Sequence, residues 1–218
     1  MVPAFDAKKK ASLRPSWPWL LALLLALLLA GFGVVSWWTF PGDQSPEGAY
    51  LRIVKAVNQG QAEQFFAYTE EEAQHACFTI QQYRAQSLRL IEESFPVSRR
   101  TELVPKYKPF AEAAGGAGVF ALMVEREGWL SQLRGDVSGI AEVVEIGERA
   151  TIVTARGTRY SMRRRPGGIW GLTAFTATLV EEAQRAARDH AQVEKAARDF
   201  ERGRASGQRS SEPGSDLE

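Results

Sequence analysis

The side chains that could do chemistry are few and poorly spaced for it. His75 and Cys77 lie two residues apart, and His190 is the only other histidine. On a helix, positions two apart point in different directions, and a zinc site needs three or four ligands. The chain has no Gly-x-Ser-x-Gly motif and no recognisable Cys–His pair with an orienting residue. The sequence therefore predicts no catalytic residue, no metal site and no cofactor.

Two charged clusters and one glycine cluster remain. Glu142, Glu145 and Glu148 fall in a predicted hairpin, where solvated charge is usual. The Arg163–Arg165 triplet also lies at a hairpin end; it could bind an anionic partner or a lipid headgroup, but a solvated rim is favoured. The "GGAG" at 115–118 lacks the preceding strand and the Lys-Ser/Thr of a phosphate loop, so it is interpreted as a break between helices.

The charge balance argues against nucleic acid as a partner. Beyond residue 16 the chain carries 23 basic and 25 acidic residues. A nucleic-acid-binding domain needs a strongly basic surface to neutralise phosphates. Cys77 is the single cysteine, so no internal disulfide can form and the fold must be held by its hydrophobic core.

A long apolar segment dominates the start of the chain. Trp17 to Phe40 gives 24 uncharged residues, and a membrane-spanning helix needs about 20. Tryptophans lie at both ends of the segment, as in interfacial belts. A signal-peptide core is usually about 7–15 residues long. A small-x-small site at Gly31 and Gly33 keeps cleavage open as an alternative, but a retained anchor ending at Trp17 and Phe40 is favoured.

The charge of residues 1–16 predicts the orientation of this anchor. The segment has four basic residues and one acidic residue, and positive flanks stay on the cytoplasmic side. We therefore expect a single-pass protein of the cytoplasmic membrane with its N-terminus inside. Residues 41–218 would then lie outside, which in a Gram-negative bacterium is the periplasm.

The outer part is predicted to contain a linker at 41–45, one α+β domain at 46–200 and a disordered tail at 201–218. Ser45 is predicted as an N-cap with Pro46 as the first helical residue. Thr69 and Glu72 form a potential capping box for a long helix that ends near Phe95. The following helical stretch is expected to be interrupted at its prolines, Pro105 and Pro109.

After Gly139 the apolar period changes from helical to alternating, in short runs separated by "GER", "RGT" and "RPGG". Short turns of this kind predict an antiparallel meander. Four large side chains on these strands could line an apolar pocket, but a core position is favoured for them: Tyr160, Met162, Trp170 and Leu172.

A final helix is predicted at about 178–200. Its apolar positions alternate at spacings of four and three, as in a heptad seam. Packing on the parent domain is favoured over self-association, although a homo-oligomer stays open. The seam comprises Leu179, Ala183, Ala186, His190, Val193, Ala197 and Phe200.

Two stretches carry a resemblance to a known superfamily. "SPEGAYLRIVKAVNQGQAEQFFAYTEEEA" is similar to the opening helices of nuclear-transport-factor-2-like domains, and "EVVEIGERATIVTARGTRYSMRRRPGGIWGLT" resembles their closing hairpins. The resemblance implies a cone-like α+β fold of helices packed on a curved antiparallel sheet. The segment between Pro96 and Gly139 is longer and more helical than in compact members. The whole chain also resembles uncharacterised proteins of myxobacteria, which implies no activity.

The layout favours an interaction role over catalysis. The superfamily includes enzymes, small-ligand binders and periplasmic scaffolds, and the scaffolds share the order of short tail, single span and outer domain. We therefore expect a non-catalytic interaction or assembly module with a protein partner in the cell envelope. The alternatives are a binder of a small apolar molecule or lipid in the cone and, third, an enzyme of the same superfamily.

Overall fold

The computed structural model describes residues 22–26 and 41–210, with side chains described to residue 206. Its contacts divide the chain into two units, Met1–Phe40 and Pro41–Glu218. In the first unit, residues 22–26 are helical; the rest of the predicted span and the predicted tail at 1–16 lie outside the described residues. Within the described part of the chain, no helix has the length and apolar character needed to cross a membrane.

The second unit is an α+β domain, which confirms the predicted class. Its sheet has four antiparallel strands in the order β1-β2-β3-β4, as the meander prediction requires. The elements are α1 (Pro46–Gln59), α2 (Ala62–Phe66), α3 (Glu71–Ser94), α4 (Val97–Ala111), α5 (Gly115–Glu127), α6 (Trp129–Asp136), β1 (Ile140–Ile146), β2 (Arg149–Thr154), β3 (Arg159–Arg164), β4 (Trp170–Leu172) and α7 (Thr176–Ser210).

Helix α1 begins and ends where the sequence predicts. The Ser45 hydroxyl accepts a hydrogen bond from the Gly48 N–H at 3.1 Å, and Pro46 occupies the first turn, where its missing N–H costs nothing. Gly60 ends the helix with a φ of 72°, a left-handed conformation that glycine adopts without steric cost.

The predicted capping box of α3 is wrong. The Thr69 hydroxyl donates to the Phe66 carbonyl at 2.8 Å, and the residue before the helix is Glu70, whose side chain makes no cap bond. The sheet explains the difference. Thr69 bridges Leu172 and the Glu70 N–H donates to the Leu172 carbonyl at 3.1 Å, so this backbone stays extended against β4 and the helix starts one residue later.

The helix break predicted at the two prolines is wrong, whereas the break predicted at "GGAG" is present but lies slightly earlier, between Ala111 and Gly115. Helix α4 runs without interruption through Pro105 and Pro109, because its apolar side chains pack on a small core cluster around Ile91 and Phe95. The "GGAG" segment forms the first turn of α5. A Cβ at Gly116 would lie 2.9 Å from the Phe66 ring, so glycine allows this helix end to pack closely.

The main core lies between the inner face of the sheet and helices α1, α2, α3 and α5. Alternate residues of β2 point into it, with Ile152 fully buried. Phe65 and Phe120 contact each other edge to face at 5.4 Å. On the other side of β4, a Cβ at Gly171 would lie 2.5 Å from the Thr69 carbonyl oxygen, so the segment before α3 covers the sheet there.

Helix α7 is longer than predicted and packs on α3. The predicted disordered tail is corrected for residues 201–210, which continue the helix; residues 211–218 lie outside the described part. The Glu201 carboxylate accepts from the Ser94 hydroxyl at 2.7 Å, and Arg204 donates to the Ser94 carbonyl at 3.3 Å. These two contacts hold the polar C-terminal part of α7 against the end of α3. The predicted seam faces the parent domain, with Val193 and Ala197 buried against α3.

Candidate functional site

The four predicted pocket candidates lie in the core. Tyr160, Met162, Trp170 and Leu172 are each at most 7% exposed. The Trp170 indole N–H donates to the Gln44 carbonyl at 3.1 Å. The core interpretation of these residues therefore agrees with the structure.

Tyr160 is the most unusual of the four. Its ring lies 5.7 Å from that of Tyr50, and its buried hydroxyl has no hydrogen-bond partner among the described residues. Burial raises the pKa of Tyr160 to about 12, and the neighbouring Tyr50 and Asp136 add to the rise. The hydroxyl therefore stays protonated at physiological pH.

His75 and Cys77, the two potential metal ligands on α3, lie in different environments. Cys77 is fully buried, and burial raises the pKa of its thiol to about 12, so the reactive thiolate is scarce at neutral pH. His75 is exposed beside Glu71, with 3.9 Å between Nε2 and Oε1. Over the described residues, no three His, Cys, Asp or Glu side chains are grouped closely enough to hold a metal ion.

A charged cleft lies between the start of α3 and the β3–β4 hairpin. Its volume is about 290 Å³. One wall is acidic and comes from the first turn of α3; the other is the arginine triplet at the end of β3. The residues that define this charged cleft are Glu70, Glu71, Glu72, His75, Arg163, Arg164 and Arg165.

The opposite walls of the charged cleft are only weakly paired. Arg163 Nη1 lies 4.0 Å from Glu70 Oε2, which is longer than a hydrogen bond. Arg165 instead donates to the Ala67 carbonyl at 2.7 Å. Within residues 41–206, no ion pair involves Arg164. Among the described residues, Arg163 and Glu70 therefore form the one ion pair between the two walls.

Glu70 is the most constrained group of the charged cleft. Its side chain is only 7% exposed, and over the described part of the chain its carboxylate accepts no hydrogen bond. Burial of a carboxylate is unfavourable unless it is paired and hydrogen-bonded. Arg163 is the charged partner of this carboxylate, and neither Glu70 oxygen is both fully buried and without a partner.

A second cavity of about 490 Å³ lies between the end of α1 and helices α5 and α6. It is wide and lined mainly by small and aliphatic residues. Arg134 on its wall donates to the Val57 carbonyl at 3.0 Å and so satisfies the C-terminal end of α1. Arg134 therefore has a structural role in this cavity.

An ion cluster centred on the buried carboxylate of Glu182 joins three helices. Glu182 of α7 contacts Arg84 of α3 at 3.4 Å, Arg126 of α5 at 3.3 Å and Arg185 at 3.1 Å. Arg84 also pairs with Asp189 at 2.8 Å. Each of these arginines therefore has at least one carboxylate partner, and the cluster holds the three helices together.

Comparison with models of protein families, with curated proteins and with solved structures finds no significant match to this chain. The resemblance to nuclear-transport-factor-2-like domains therefore stays a prediction.

Sequence reasoning found one wall of the charged cleft and missed the other. The arginine triplet is visible as a run of like charge, whereas Glu70–Glu72 has the ordinary acidic composition of a first helical turn. The two walls are more than ninety residues apart, and the backbone pairing of residues 68–70 with β4 brings them together. The ion pair between Arg84 and Glu182 could not be predicted either, because its two residues are far apart in the sequence and meet only in the fold.

Proposed function

We propose that the chain is a single-pass membrane protein whose outer α+β domain is a non-catalytic interaction or assembly module. The observation that carries this proposal is the uncharged segment from Trp17 to Phe40, which follows a basic N-terminal tail. Such a segment has the length and flanking charge of a signal anchor. The domain beyond it is then held at the outer surface of the cytoplasmic membrane.

The sheet edge supports an interaction role for this domain. β1 pairs with β2 on one side, and over residues 41–210 no strand pairs with its other side. Val144 and Ile146 of β1 are 41% and 75% exposed. Unpaired edges with exposed aliphatic side chains favour pairing with another chain unless they are protected. The partner proposed is an extended segment of another envelope protein.

Topology reporters test the anchor. Alkaline phosphatase fused to the end of the chain should be active and a fluorescent protein fused there should be dark, because only the former matures outside the cytoplasm. Replacing Lys8, Lys9, Lys10 and Arg14 by Glu is the matched control and should lower the phosphatase activity several-fold. An inactive phosphatase with a bright fluorescent fusion on the wild-type chain would disprove the proposed orientation.

The interaction role has its own test at the sheet edge. In native gel electrophoresis of mildly solubilised membranes, the wild-type chain should migrate as a complex larger than its monomer. Ile146→Lys should abolish that complex without changing the melting temperature, because the side chain is exposed. Arg159→Lys, an exposed residue of β3, is the control. A monomeric wild-type chain in its native membrane would contradict the assembly proposal.

A further inference from the structure

We infer that the free edge of β1 binds an antiparallel strand of a partner protein that combines aliphatic residues with lysine or arginine in a fixed order. The inference rests on the interaction role proposed above and specifies the partner for that edge. From its N-terminus, the partner strand carries an aliphatic residue, a basic residue, two aliphatic residues and a second basic residue. The first aliphatic residue lies opposite Ile146, and the basic residues lie opposite Glu145 and Glu142.

β1 combines a free backbone edge with exposed aliphatic side chains. All of its residues are at least partly exposed, and over residues 41–210 only β2 pairs with it. The exposed large apolar side chains described in this domain are Phe78, Val97, Val144 and Ile146. Two of these four lie two residues apart on β1, and therefore on the same face of the sheet. Single exposed apolar side chains are ordinary on a protein surface, whereas grouped ones favour a contact.

The backbone groups that a partner strand needs belong to Val143 and Glu145. The Glu148 carbonyl accepts a hydrogen bond from the last residue of β3 at 2.8 Å. Successive residues of a strand direct their backbone groups to opposite neighbours, so Arg149 forms its bonds with Ile146, its register partner in β1. Along β1 the same alternation turns the N–H and carbonyl groups of Val143 and Glu145 away from β2. A partner strand can therefore form two hydrogen-bonded residue pairs there.

The charged side chains of β1 are all acidic and lie on both faces of the strand. Glu142 is opposite Val153 on the outer face, and Glu145 is opposite Ala150, whose side chain is buried on the inner face. Both carboxylates are exposed, and within residues 41–206 no ion pair involves either of them. Charges on an edge strand discourage pairing. A partner overcomes that effect here only if it brings a cation to each carboxylate.

The order of residues in the partner follows from the order of residues in β1. A partner strand in antiparallel pairing, followed from its N-terminus, meets the residues of β1 in reverse. That order is Ile146, Glu145, Val144, Val143 and Glu142. Aliphatic residues opposite the three aliphatic positions and basic residues opposite the two carboxylates give the order stated above. A second copy of β1 does not fit, because its charged side chains are all carboxylates and like charges on neighbouring strands are destabilising.

The test measures the binding of three labelled peptides to the full chain in non-ionic detergent micelles by fluorescence anisotropy. The matched peptide is TVKVVKT, the acidic peptide is TVEVVET, and the scrambled peptide TVVKKVT has the composition of the first. Its adjacent lysines cannot face two carboxylates that are three residues apart. We expect the matched peptide to bind about tenfold more tightly than the acidic one, because two cross-strand charge pairs change from attractive to repulsive. The scrambled peptide should also bind more weakly than the matched one.

A charge reversal of the edge is the decisive variant. Glu142→Lys combined with Glu145→Lys should invert the preference, so that the acidic peptide binds about tenfold more tightly than the matched peptide. The control is Glu92→Lys combined with Glu93→Lys, which changes the net charge equally at two exposed residues of α3 and should keep the wild-type preference. Both double variants should melt cooperatively near the wild-type temperature, because the altered side chains are exposed.

Spin-labelled peptides locate the bound strand and its direction. A nitroxide at the N-terminus of the matched peptide should broaden the amide resonances of Ile146 and Gly147 most strongly. A nitroxide at its C-terminus should broaden those of Ala141 and Glu142 most strongly. The opposite assignment would show a parallel strand, and broadening confined to another part of the domain would show that the peptide does not bind this edge; either result would overturn the inference.

Three binding results would also overturn it. Equal binding of the three peptides would show that the edge does not distinguish charge, and no binding of any peptide would show that the carboxylates only protect the edge. An unchanged preference in the Glu142 and Glu145 double variant would place the selectivity elsewhere.

The assembly role is judged separately, by the complex in the native membrane. If that complex forms and is lost in Ile146→Lys while the peptides are not distinguished, the inference fails and the assembly role stands. If the chain is monomeric in its membrane while the peptides are distinguished as expected, the assembly role fails and the assigned chemistry of the β1 edge stands.

Discussion

Ile152→Asp is expected to leave the outer domain unfolded at 25 °C. Ile152 lies in the middle of β2, pairs with Val143 and Tyr160 on its two sides, and is fully buried in the main core. The substitution removes an aliphatic side chain, which alone costs about 2–5 kcal/mol when truncated to a smaller residue. It also buries a carboxylate with no partner, which costs several kcal/mol more.

These two costs together approach the whole stability of a typical domain, about 5–15 kcal/mol. The measurement is a thermal melt of the full chain in detergent micelles, followed by tryptophan fluorescence, because Trp170 is buried near the altered strand. We expect no cooperative transition for Ile152→Asp and rapid proteolysis of residues beyond 41 at room temperature.

Val144→Asp is the matched control for Ile152→Asp. It introduces the same carboxylate on the neighbouring strand β1, at a side chain that is 41% exposed. Surface substitutions of this kind usually change stability by less than about 0.5 kcal/mol. A cooperative melt for Ile152→Asp close to that of Val144→Asp would contradict the assignment of the β2 inner face to the core.

Ile152 and Val144 also show why the fold class could be predicted from the sequence. Successive side chains of β2 point to opposite faces of the sheet, so the pattern places Ile152 on the core face and its neighbours on the other face. The two-residue turn between β1 and β2 requires these strands to pair antiparallel. Ser45, Pro46 and Gly60 marked α1 equally well, because their effects on the backbone are local and do not depend on the rest of the fold.

The failures have a different physical origin. Thr69 is a good N-cap by residue type, but the backbone on which it lies is tied to β4 through Leu172. Pro105 and Pro109 are poor helix residues, yet packing against the cluster around Ile91 holds α4 together. In each case a tertiary contact overrides a local preference, and such contacts are invisible in one sequence.

The charged cleft depends both on a local sequence pattern and on a tertiary contact. Arg163–Arg165 is a local run of like charge, and without knowledge of its neighbours in space the sequence favours a solvated rim. The structure adds Glu70 to this run: its side chain is 7% exposed and its carboxylate lies 4.0 Å from the Arg163 guanidinium, so Arg163 is an ion-pair partner as well as a surface charge. The site is defined by the pairing of two distant segments, so only the structure could reveal it.

Glu182→Ala is expected to have the second largest effect on stability, a loss of about 3 kcal/mol. The Glu182 side chain is 6% exposed and contacts three arginines from α3, α5 and α7 itself. Arg126 and Arg185 are 41% and 52% exposed, so water can solvate them when the carboxylate is removed. Arg84 is 13% exposed and keeps only Asp189 as an acidic partner.

The loss of stability therefore comes mainly from the Arg84 guanidinium, which is 13% exposed and loses one of its two carboxylate partners. Removal of one partner from a buried ion pair typically costs about 3–5 kcal/mol, and the remaining contact of Arg84 with Asp189 places this case at the lower end. Glu181→Ala is the control, since its carboxylate is 68% exposed and pairs only with Arg185. Exposed pairs of this kind contribute about 0–1 kcal/mol.

A double variant separates the ion cluster from simple packing. If the uncompensated charge of Arg84 causes the loss, then Arg84→Met combined with Glu182→Leu should recover at least half of what Glu182→Leu alone loses, because both buried charges are gone. If the two losses instead add, the interaction between Arg84 and Glu182 is not what stabilises the contact of α3 with α7. Urea denaturation of the full chain in micelles gives the free energies of unfolding that decide between the two results. The variants are compared with one common value for the dependence of the free energy of unfolding on urea concentration.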